Sequence, residues 1–265
     1  MELTGAHVLI TGASRGIGAA MAREFAAAGA RVSLVARSAA ALADVAAATG
    51  GTAFTADLLD PATADGLVAR VEAEAGPVDV LVNNAGLESR SMLARESAGS
   101  IRDVLRLNLE VPAVLTQAVL PGMLARGKGS LVFISSLAGT AGFPGMTVYA
   151  GSKAGINNFA ASARVELRDT PVNVTLMAAG PVDTEMWDRL EEEDWSAPIL
   201  RRFNMLHLLP KKSPELMARR TVAAVKANRR HVRVPRRLSV TYWLGEAPRR
   251  IAEWLLVGVK WDPRS

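Results

Sequence analysis

The sequence predicts an α/β protein in which one parallel β-sheet is covered by helices on both faces. Short apolar runs alternate with Ala-rich or amphipathic stretches along most of the chain. This alternation of strands and helices is typical of parallel sheets. The chain has 265 residues, 49% of them hydrophobic, and shows no internal repeat. One substantial core is therefore possible, and we expect a single domain over residues 1–265.

The elements follow from this pattern in chain order. Strands are predicted at 7–11, 31–36, 52–56, 79–83, 130–135, 172–177 and 231–234. Helices are predicted near 16–29, 38–49, 61–75, 97–126, 149–169 and 213–228, where the high alanine content favours them. The alternation is interrupted at 183–212. Long excursions after the carboxyl end of a strand commonly cover ligands, so this segment is predicted to be a substrate lid.

Composition excludes several kinds of site. The chain has no cysteine, which rules out disulfides, thiolate nucleophiles and cysteine-based metal sites. Its three histidines are far apart in sequence, so we expect no zinc site. The N-terminus leads directly into a strand, and no run of about 18 apolar residues occurs. We therefore expect neither a signal peptide nor a transmembrane helix, and a cytoplasmic location.

A glycine-rich turn, Thr11 to Gly18 (TGASRGIG), lies between the first predicted strand and the first predicted helix. A turn in this context binds the pyrophosphate of a dinucleotide at the helix N-terminus. Glycines alone also suit an ordinary turn, so the strand before it and the helix after it carry the prediction.

Tyr149 and Lys153 are four residues apart on a predicted helix, and Ser136 lies upstream at the end of an apolar strand. Residues at this spacing are neighbours on a helix surface. The lysine ammonium can then favour ionisation of the phenol, whose ordinary pKa of about 10 makes it a poor base near neutrality. Together with the glycine turn, this pair indicates hydride transfer between a nicotinamide and a carbonyl or alcohol. The alternative is a surface pair without function.

In these motifs the chain resembles the short-chain dehydrogenase/reductase family from residue 5 to about residue 186. The resemblance is carried by TGASRGIG at 11–18, Asp57-Leu58, Asn83-Asn84-Ala85-Gly86, Asn108, Ser136 and Tyr149-Ala150-Gly151-Ser152-Lys153. It implies a doubly wound, Rossmann-like sheet of about seven strands in the order 3-2-1-4-5-6-7.

The resemblance also implies four catalytic residues. Ser136 would hydrogen-bond the substrate oxygen, with Ser135 as a structural hydroxyl beside it. Tyr149 would be the general acid in reduction and the general base in oxidation. Lys153 would hold the nicotinamide ribose and lower the pKa of Tyr149. Asn108 would hold a water in a proton relay, the alternative being a polar residue at a helix kink near Pro112.

Most of the cofactor contacts are likewise implied by the resemblance. They are Gly12, Ser14, Arg15, Gly16, Ile17, Gly18, Asp57, Leu58, Asn84, Ala85, Gly86, Tyr149, Lys153, Val182 and Thr184. Asp57 would end strand three and meet the adenine edge. After strand six, Ala179 stands where the family usually has proline.

The end of the second strand predicts the type of nicotinamide. NAD enzymes carry a carboxylate there, whereas an arginine suits the 2′-phosphate of NADP. The segment from Val35 to Ser38 has no acid and contains Arg37, which Arg15 in the glycine turn can join. We therefore predict NADP(H). The alternative is that Arg15 and Arg37 are ordinary surface charges. That alternative does not explain why the end of the second strand lacks a carboxylate.

The substrate is predicted to be a lipophilic small molecule of the steroid, retinoid or long-chain type. The lid region 183–212 is rich in Trp, Leu and other apolar residues, and Phe143 and Met146 flank the catalytic tyrosine. Predicted substrate contacts are Ser136, Phe143, Met146, Tyr149 and Trp187. The alternative is that many of these apolar residues form core or the interface of a homo-oligomer, which we expect to be a dimer or tetramer.

The C-terminal extension, residues 236–265, mixes arginines with Trp and Leu. Residues 201–265 hold 16 basic and 4 acidic residues, a net charge of +12, against −7 for residues 1–200. This mixture is typical of segments in a membrane interface, so an anionic membrane is one predicted partner. The alternative is packing over the substrate cleft or a neighbouring subunit. No nucleic-acid motif accompanies the charge, so nucleic acid is not expected.

These observations favour an NADP(H)-dependent oxidoreductase of lipophilic carbonyl and alcohol pairs. A 3-oxoacyl-carrier-protein reductase is the alternative of the same class, with the basic tail as a docking surface for an acidic partner. A non-catalytic NADP(H)-binding sensor or scaffold is the alternative of another class. The presence of all four catalytic residues argues against it, since a sensor needs no proton path.

Overall fold

The computed structural model describes residues 1–89, 91–142, 144–184 and 211–234. Seven strands form one parallel sheet in the order β3-β2-β1-β4-β5-β6-β7, which confirms the predicted fold class and strand order. The strands are β1 His7–Thr11, β2 Arg31–Ala36, β3 Thr52–Thr55, β4 Val80–Asn83, β5 Gly129–Ser136, β6 Val172–Ala179 and β7 His231–Val234.

Seven α-helices connect the described strands or follow them. They are α1 Gly16–Ala27, α2 Ala39–Thr49, α3 Pro61–Ala75, α4 Ala98–Leu105, α5 Val111–Arg126, α6 Thr147–Glu166 and α7 Pro214–Lys226. A π segment, Arg106–Glu110, joins α4 to α5. Helix α3 begins where the sequence predicts, because the Asp60 carboxylate accepts a hydrogen bond from Thr63 N and Pro61 occupies the first turn.

Two apolar cores lie on opposite faces of the sheet. One face packs against α1, α2 and α7 around residues such as Phe25 and Leu34. The other packs against α3, α5 and α6 around Phe54 and Phe133. Because helices cover both faces, the inner strands of the sheet are buried on both sides and are mostly apolar, as the sequence pattern requires. The edge strands β3 and β7 are largely exposed or half-buried.

One helical stretch of the described residues, Ala98–Arg126, is long and apolar enough to cross a membrane by length and composition, which differs from the expectation of none. The position of this stretch inside the fold accounts for its apolar composition. The α5 part of the stretch packs on β4, β5 and α3. Its apolar side chains, such as Leu115 and Met123, are buried in the core of the fold. A buried core helix passes the same test as a membrane helix.

The carboxyl ends of β1, β4, β5 and β6 reach the same edge of the sheet. Ser136, the last residue of β5, is in register with Ala179, the last residue of β6. In open α/β sheets ligands bind at this edge, where the strand order reverses. Every predicted catalytic or cofactor residue on these strands is therefore brought toward one place.

Candidate active site

The glycine turn, Thr11–Gly18, leaves no room for side chains at two of its glycines. A Cβ on Gly18 would lie 2.1 Å from the Gly12 carbonyl oxygen, and a Cβ on Gly12 would lie 2.9 Å from the Ala85 Cα. Arg15, the N-cap residue of α1, makes no side-chain capping hydrogen bond with the first turn. The backbone N–H groups there are thus available to an anion, and the turn fits a dinucleotide pyrophosphate.

Thr11 ties the glycine turn to the turn after β4. Its hydroxyl accepts hydrogen bonds from the backbone N–H groups of Asn84 and Ala85, both at 3.0 Å. In return, the Asn84 amide nitrogen donates to the carbonyls of Thr11 at 2.9 Å and Gly12 at 3.1 Å. The sequence analysis assigned no role to Thr11, although it opens the glycine motif. The two cofactor turns are therefore held as one unit.

The adenosine end of the site differs partly from expectation. Arg37 directly follows β2 and is exposed, as is Arg15 in the glycine turn. Strand β3 ends at Thr55, so Asp57 does not end it as predicted. The exposed Asp57 carboxylate accepts a hydrogen bond from Leu59 N at 3.0 Å, which makes it a turn residue. Leu58 is buried in the core.

Ser136, Tyr149 and Lys153 lie close together. The Ser136 side chain is near enough to the Tyr149 phenol to lower its pKa. Lys153 Nζ lies 5.7 Å from the centre of the Tyr149 ring and donates to the Ile134 carbonyl at 3.0 Å. Tyr149 is only 8% exposed and Lys153 only 6%. Burial to this degree excludes an ordinary surface pair.

Burial dominates the electrostatics of this group. It raises the pKa of Tyr149 to about 12, while the Ser136 side chain lowers that pKa and the Glu88 charge raises it. Burial also lowers the pKa of Lys153 to about 8. Both groups lie out of water, so the net pKa of Tyr149 is above its ordinary value, and the lowering of this pKa by Lys153 stays a prediction. Glu88, itself buried, was not identified from the sequence.

Asn108 lies within the π segment, so its location at a helix distortion agrees with both readings of it. Its side-chain oxygen accepts from Leu87 N at 2.8 Å. Its amide nitrogen donates to the Leu87 carbonyl at 2.8 Å and to Ser152 Oγ at 2.9 Å. Ser152 Oγ in turn donates to the Tyr149 carbonyl at 2.7 Å. Both amide hydrogens of Asn108 thus have protein acceptors, and Ser152, for which no role was predicted, links Asn108 to the catalytic helix.

The remaining predicted residues lie as follows. Ser14 and Ile17 are half-buried in the glycine turn. Val182 is buried and bridges to Lys212. Thr184 lies over the glycine turn, since a Cβ on Gly16 would be 3.4 Å from its Cγ2.

Gly86 lies beside the catalytic group, since a Cβ there would be 3.0 Å from Asn108 Oδ1 and 3.6 Å from Lys153 Nζ. Met146 is half-buried at the start of α6. Phe143, Trp187, most of the lid region and the whole C-terminal extension lie outside the described residues.

Ser135, the neighbour of Ser136 on β5, makes a structural contact. Its Oγ donates to Asn157 Oδ1 on α6, which fits the predicted structural hydroxyl. Across the parts of the chain that the structure describes, no cluster of three or more His, Asp or Glu residues can hold a metal ion.

Comparison with known proteins agrees with this geometry. Residues 6–195 match the short chain dehydrogenase family. The ketoacyl reductase HetN of a Nostoc strain is 40% identical over 185 residues, which cover 68% of this chain and 64% of HetN, slightly less than two thirds. The 3-oxoacyl-[acyl-carrier-protein] reductase FabG of Escherichia coli is 35% identical over 196 residues, 73% of this chain and 80% of FabG.

A solved structure also resembles this chain in fold and in sequence. A metagenomic short-chain oxidoreductase in complex with NADP superposes with a TM-score of 0.70 at 32% identity, covering 88% of this chain and 98% of that one. With its strand order, glycine turn and Ser136–Tyr149–Lys153 group, the chain belongs to the short-chain dehydrogenase family of oxidoreductases.

Proposed function

We propose that the protein is an NADP(H)-dependent oxidoreductase that interconverts a carbonyl and an alcohol. The observation that carries this proposal is the buried Tyr149 side chain, which lies near Ser136 at the edge of the sheet where the cofactor turns meet. A buried proton donor beside a dinucleotide site is what carbonyl reduction requires.

The bound nicotinamide supplies the hydride chemistry, and the chain supplies the proton and the orientation. Ser136 hydrogen-bonds the substrate oxygen as charge develops on it. Tyr149 gives its proton to that oxygen in reduction and takes it back in oxidation. Because burial raises the pKa of Tyr149 to about 12, the phenol is protonated near neutrality and is ready to act as the acid. Lys153 keeps a cationic amine beneath the ring.

Asn108 contributes mainly through position in this mechanism. Its amide hydrogens already have acceptors in Leu87 and Ser152. A relay water would therefore meet its backbone carbonyl or the second lone pair of Oδ1, not its amide N–H groups.

Tyr149→Phe tests the chemistry. The ring remains and only the transferable proton is lost, so turnover should fall by about 10²–10⁴-fold while NADPH binding, followed by fluorescence titration, stays unchanged. Turnover close to that of the wild type in Tyr149→Phe would remove the mechanism.

NADP(H) is the proposed cofactor because Arg37 follows β2 where an acid would otherwise contact the ribose hydroxyls, and because a solved relative binds NADP. Arg37→Asp should shift the ratio of kcat/KM for NADPH over NADH toward NADH. Arg31→Asp is the matched control, since Arg31 is exposed at the opposite end of the same strand. Equal ratios in wild type and Arg37→Asp would contradict the assignment.

The substrate is proposed to be lipophilic. The apolar composition of the lid region and the half-buried Met146 at the start of α6 support this. A 3-oxoacyl thioester is the second candidate, supported by the names of HetN and FabG. NADPH oxidation with steroids, retinal, fatty aldehydes and acetoacetyl thioesters distinguishes the two. A panel in which only small polar carbonyls react would contradict both. Binding of NADPH without turnover of any substrate would favour the non-catalytic sensor.

The C-terminal extension is proposed to bind an anionic membrane surface from a cytoplasmic location. Residues 201–265 carry a net charge of +12, of which the extension itself, with six basic and three acidic residues, contributes +3. The extension adds Trp243 and Trp254, which suit a membrane interface. Co-sedimentation with anionic vesicles should weaken with salt, because the Debye length falls from about 10 Å at 0.1 M to about 3 Å at 1 M.

Truncation before Leu238 should abolish vesicle binding and leave NADPH binding intact. Full-length protein that stays in the supernatant at low salt would contradict the membrane proposal. A truncated chain that loses substrate affinity would favour packing over the cleft. Loss of assembly on truncation would favour a subunit interface. Analytical ultracentrifugation of both chains tests the proposed dimer or tetramer.

A further inference from the structure

Helix α6, which carries Tyr149 and Lys153, lacks a side-chain cap of its own. Its N-cap residue is Met146, whose side chain makes no capping hydrogen bond with the first turn. The first N–H groups of a helix have no partner within the helix, and the N-cap side chain usually accepts from the second or third of them. Tyr149 is the third residue of α6, so its N–H is one of the groups that needs an acceptor.

Ser89 supplies that acceptor from a distant part of the chain. Its hydroxyl accepts a hydrogen bond from Tyr149 N at 2.9 Å, across 60 residues of sequence. Ser89 is only 1% exposed. The hydroxyl is therefore a fixed contact in the interior, at the backbone of the residue that transfers the proton.

The other end of this short segment is fixed to the cofactor turns. Leu87, two residues before Ser89, is bound through both its N–H and its carbonyl by the Asn108 side chain. Asn84 and Ala85 are held by the Thr11 hydroxyl. A continuous, hydrogen-bonded stretch thus runs from the dinucleotide turns to the first turn of α6.

We propose that Ser89 is a positioning residue that sets the place of Tyr149 relative to Ser136 and the cofactor turns. This inference rests on the proposed oxidoreductase function. The Tyr149 phenol lies near Ser136 at the end of β5, whereas its backbone N–H is hydrogen-bonded to Ser89 in the segment after β4. Removing the second contact lets the first turn of α6 shift against the sheet. Proton transfer is sensitive to such a shift, since a misplacement of about 1 Å can cost about 100-fold in rate.

Ser89→Ala tests the proposal, with Ser213→Ala as the matched control. Ser213 caps α7 through the same kind of hydrogen bond, from Leu216 N at 3.3 Å, on a helix without catalytic residues. Ser89→Ala should lower kcat about tenfold or more, while KM and the NADPH dissociation constant change less than twofold. Ser89→Cys, which is similar in size and keeps a weak acceptor, should recover part of kcat. Ser213→Ala should keep the wild-type kcat.

Amide hydrogen exchange at Tyr149 provides a readout that needs no substrate. Exchange at this N–H should accelerate in Ser89→Ala and not in Ser213→Ala. A wild type without turnover would contradict the proposed function, and the exchange rate would still decide whether Ser89 holds Tyr149. Wild-type kcat in Ser89→Ala, or equal losses in both alanine variants, would overturn the proposal. Unchanged Tyr149 exchange in Ser89→Ala would overturn it as well.

Discussion

Replacing Lys153 with methionine should change how stability depends on pH, because the lysine amine is buried. Burial lowers its pKa from 10.5 to about 8. Each pKa unit corresponds to about 1.36 kcal/mol, so the shift corresponds to about 3 kcal/mol. Between pH 8 and 10.5 the unfolded chain binds this proton more than the folded chain does. The free energy of unfolding of the wild type, relative to Lys153→Met, should therefore rise across this window and fall back as the pH drops to 8.

Urea unfolding at pH 7, 8, 9 and 10, followed by tryptophan fluorescence, measures this difference. Subtracting the values for Lys153→Met removes titrations that the two proteins share. Tyr149→Phe provides a comparison of opposite sign when the series is extended to pH 11 and 12. Because the pKa of Tyr149 is raised to about 12, its contribution to stability is present below pH 10 and is lost as the pH rises toward 12. A wild-type-minus-Lys153→Met difference that stays flat from pH 7 to 10 would refute the argument that the amine is desolvated.

Two further predictions concern the cofactor turns. Gly18→Ala should abolish NADPH binding, because its Cβ would lie 2.1 Å from the Gly12 carbonyl oxygen. Gly66→Ala is the control, at an open and exposed position in the interior of α3. It should bind NADPH normally, and its free energy of unfolding in urea should rise by about 1 kcal/mol. Thr11→Val keeps the shape but leaves the N–H groups of Asn84 and Ala85 without their acceptor. This substitution should lower the free energy of unfolding by about 2 kcal/mol and weaken NADPH binding in a fluorescence titration. If wild type and Thr11→Val have equal free energies of unfolding and equal NADPH affinities, the hydroxyl does not hold the two turns together.

The fold could be predicted from sequence because its signals are local and repeated. Each apolar run became a strand within one or two residues, and Asp60 before Pro61 marked the start of α3. The glycine turn was equally clear, since its glycines stand between a strand and a helix. Such features depend only on residues that are close in sequence, so they can be predicted without knowledge of the tertiary structure.

The electrostatics and long-range contacts of the site could not be predicted in the same way. The spacing of Tyr149 and Lys153 places them on one helix face but does not say how deeply that face is buried, and burial decides the direction of both pKa shifts. Nor does sequence show that Ser89 meets Tyr149 across 60 residues. The use of the Asn108 side chain depends on the π segment around it. Pro112 indicated a helix kink nearby, but no local signal showed which groups the Asn108 amide would bind.

The central position of β1 has a consequence for synthesis of the chain. One edge of β1 pairs with β2, but the other pairs with β4, and His7 N meets the Asp79 carboxylate 72 residues later. At about 5–20 residues per second, the ribosome needs roughly 4 to 14 seconds to make the intervening chain. During that time the first three strands can pair with one another, while the edge of β1 at Val8–Ile10 stays unpaired because β4 has not yet been made. Open edges of this kind promote association between chains. The nascent protein therefore carries this open edge of β1 until residue 83 has left the ribosome.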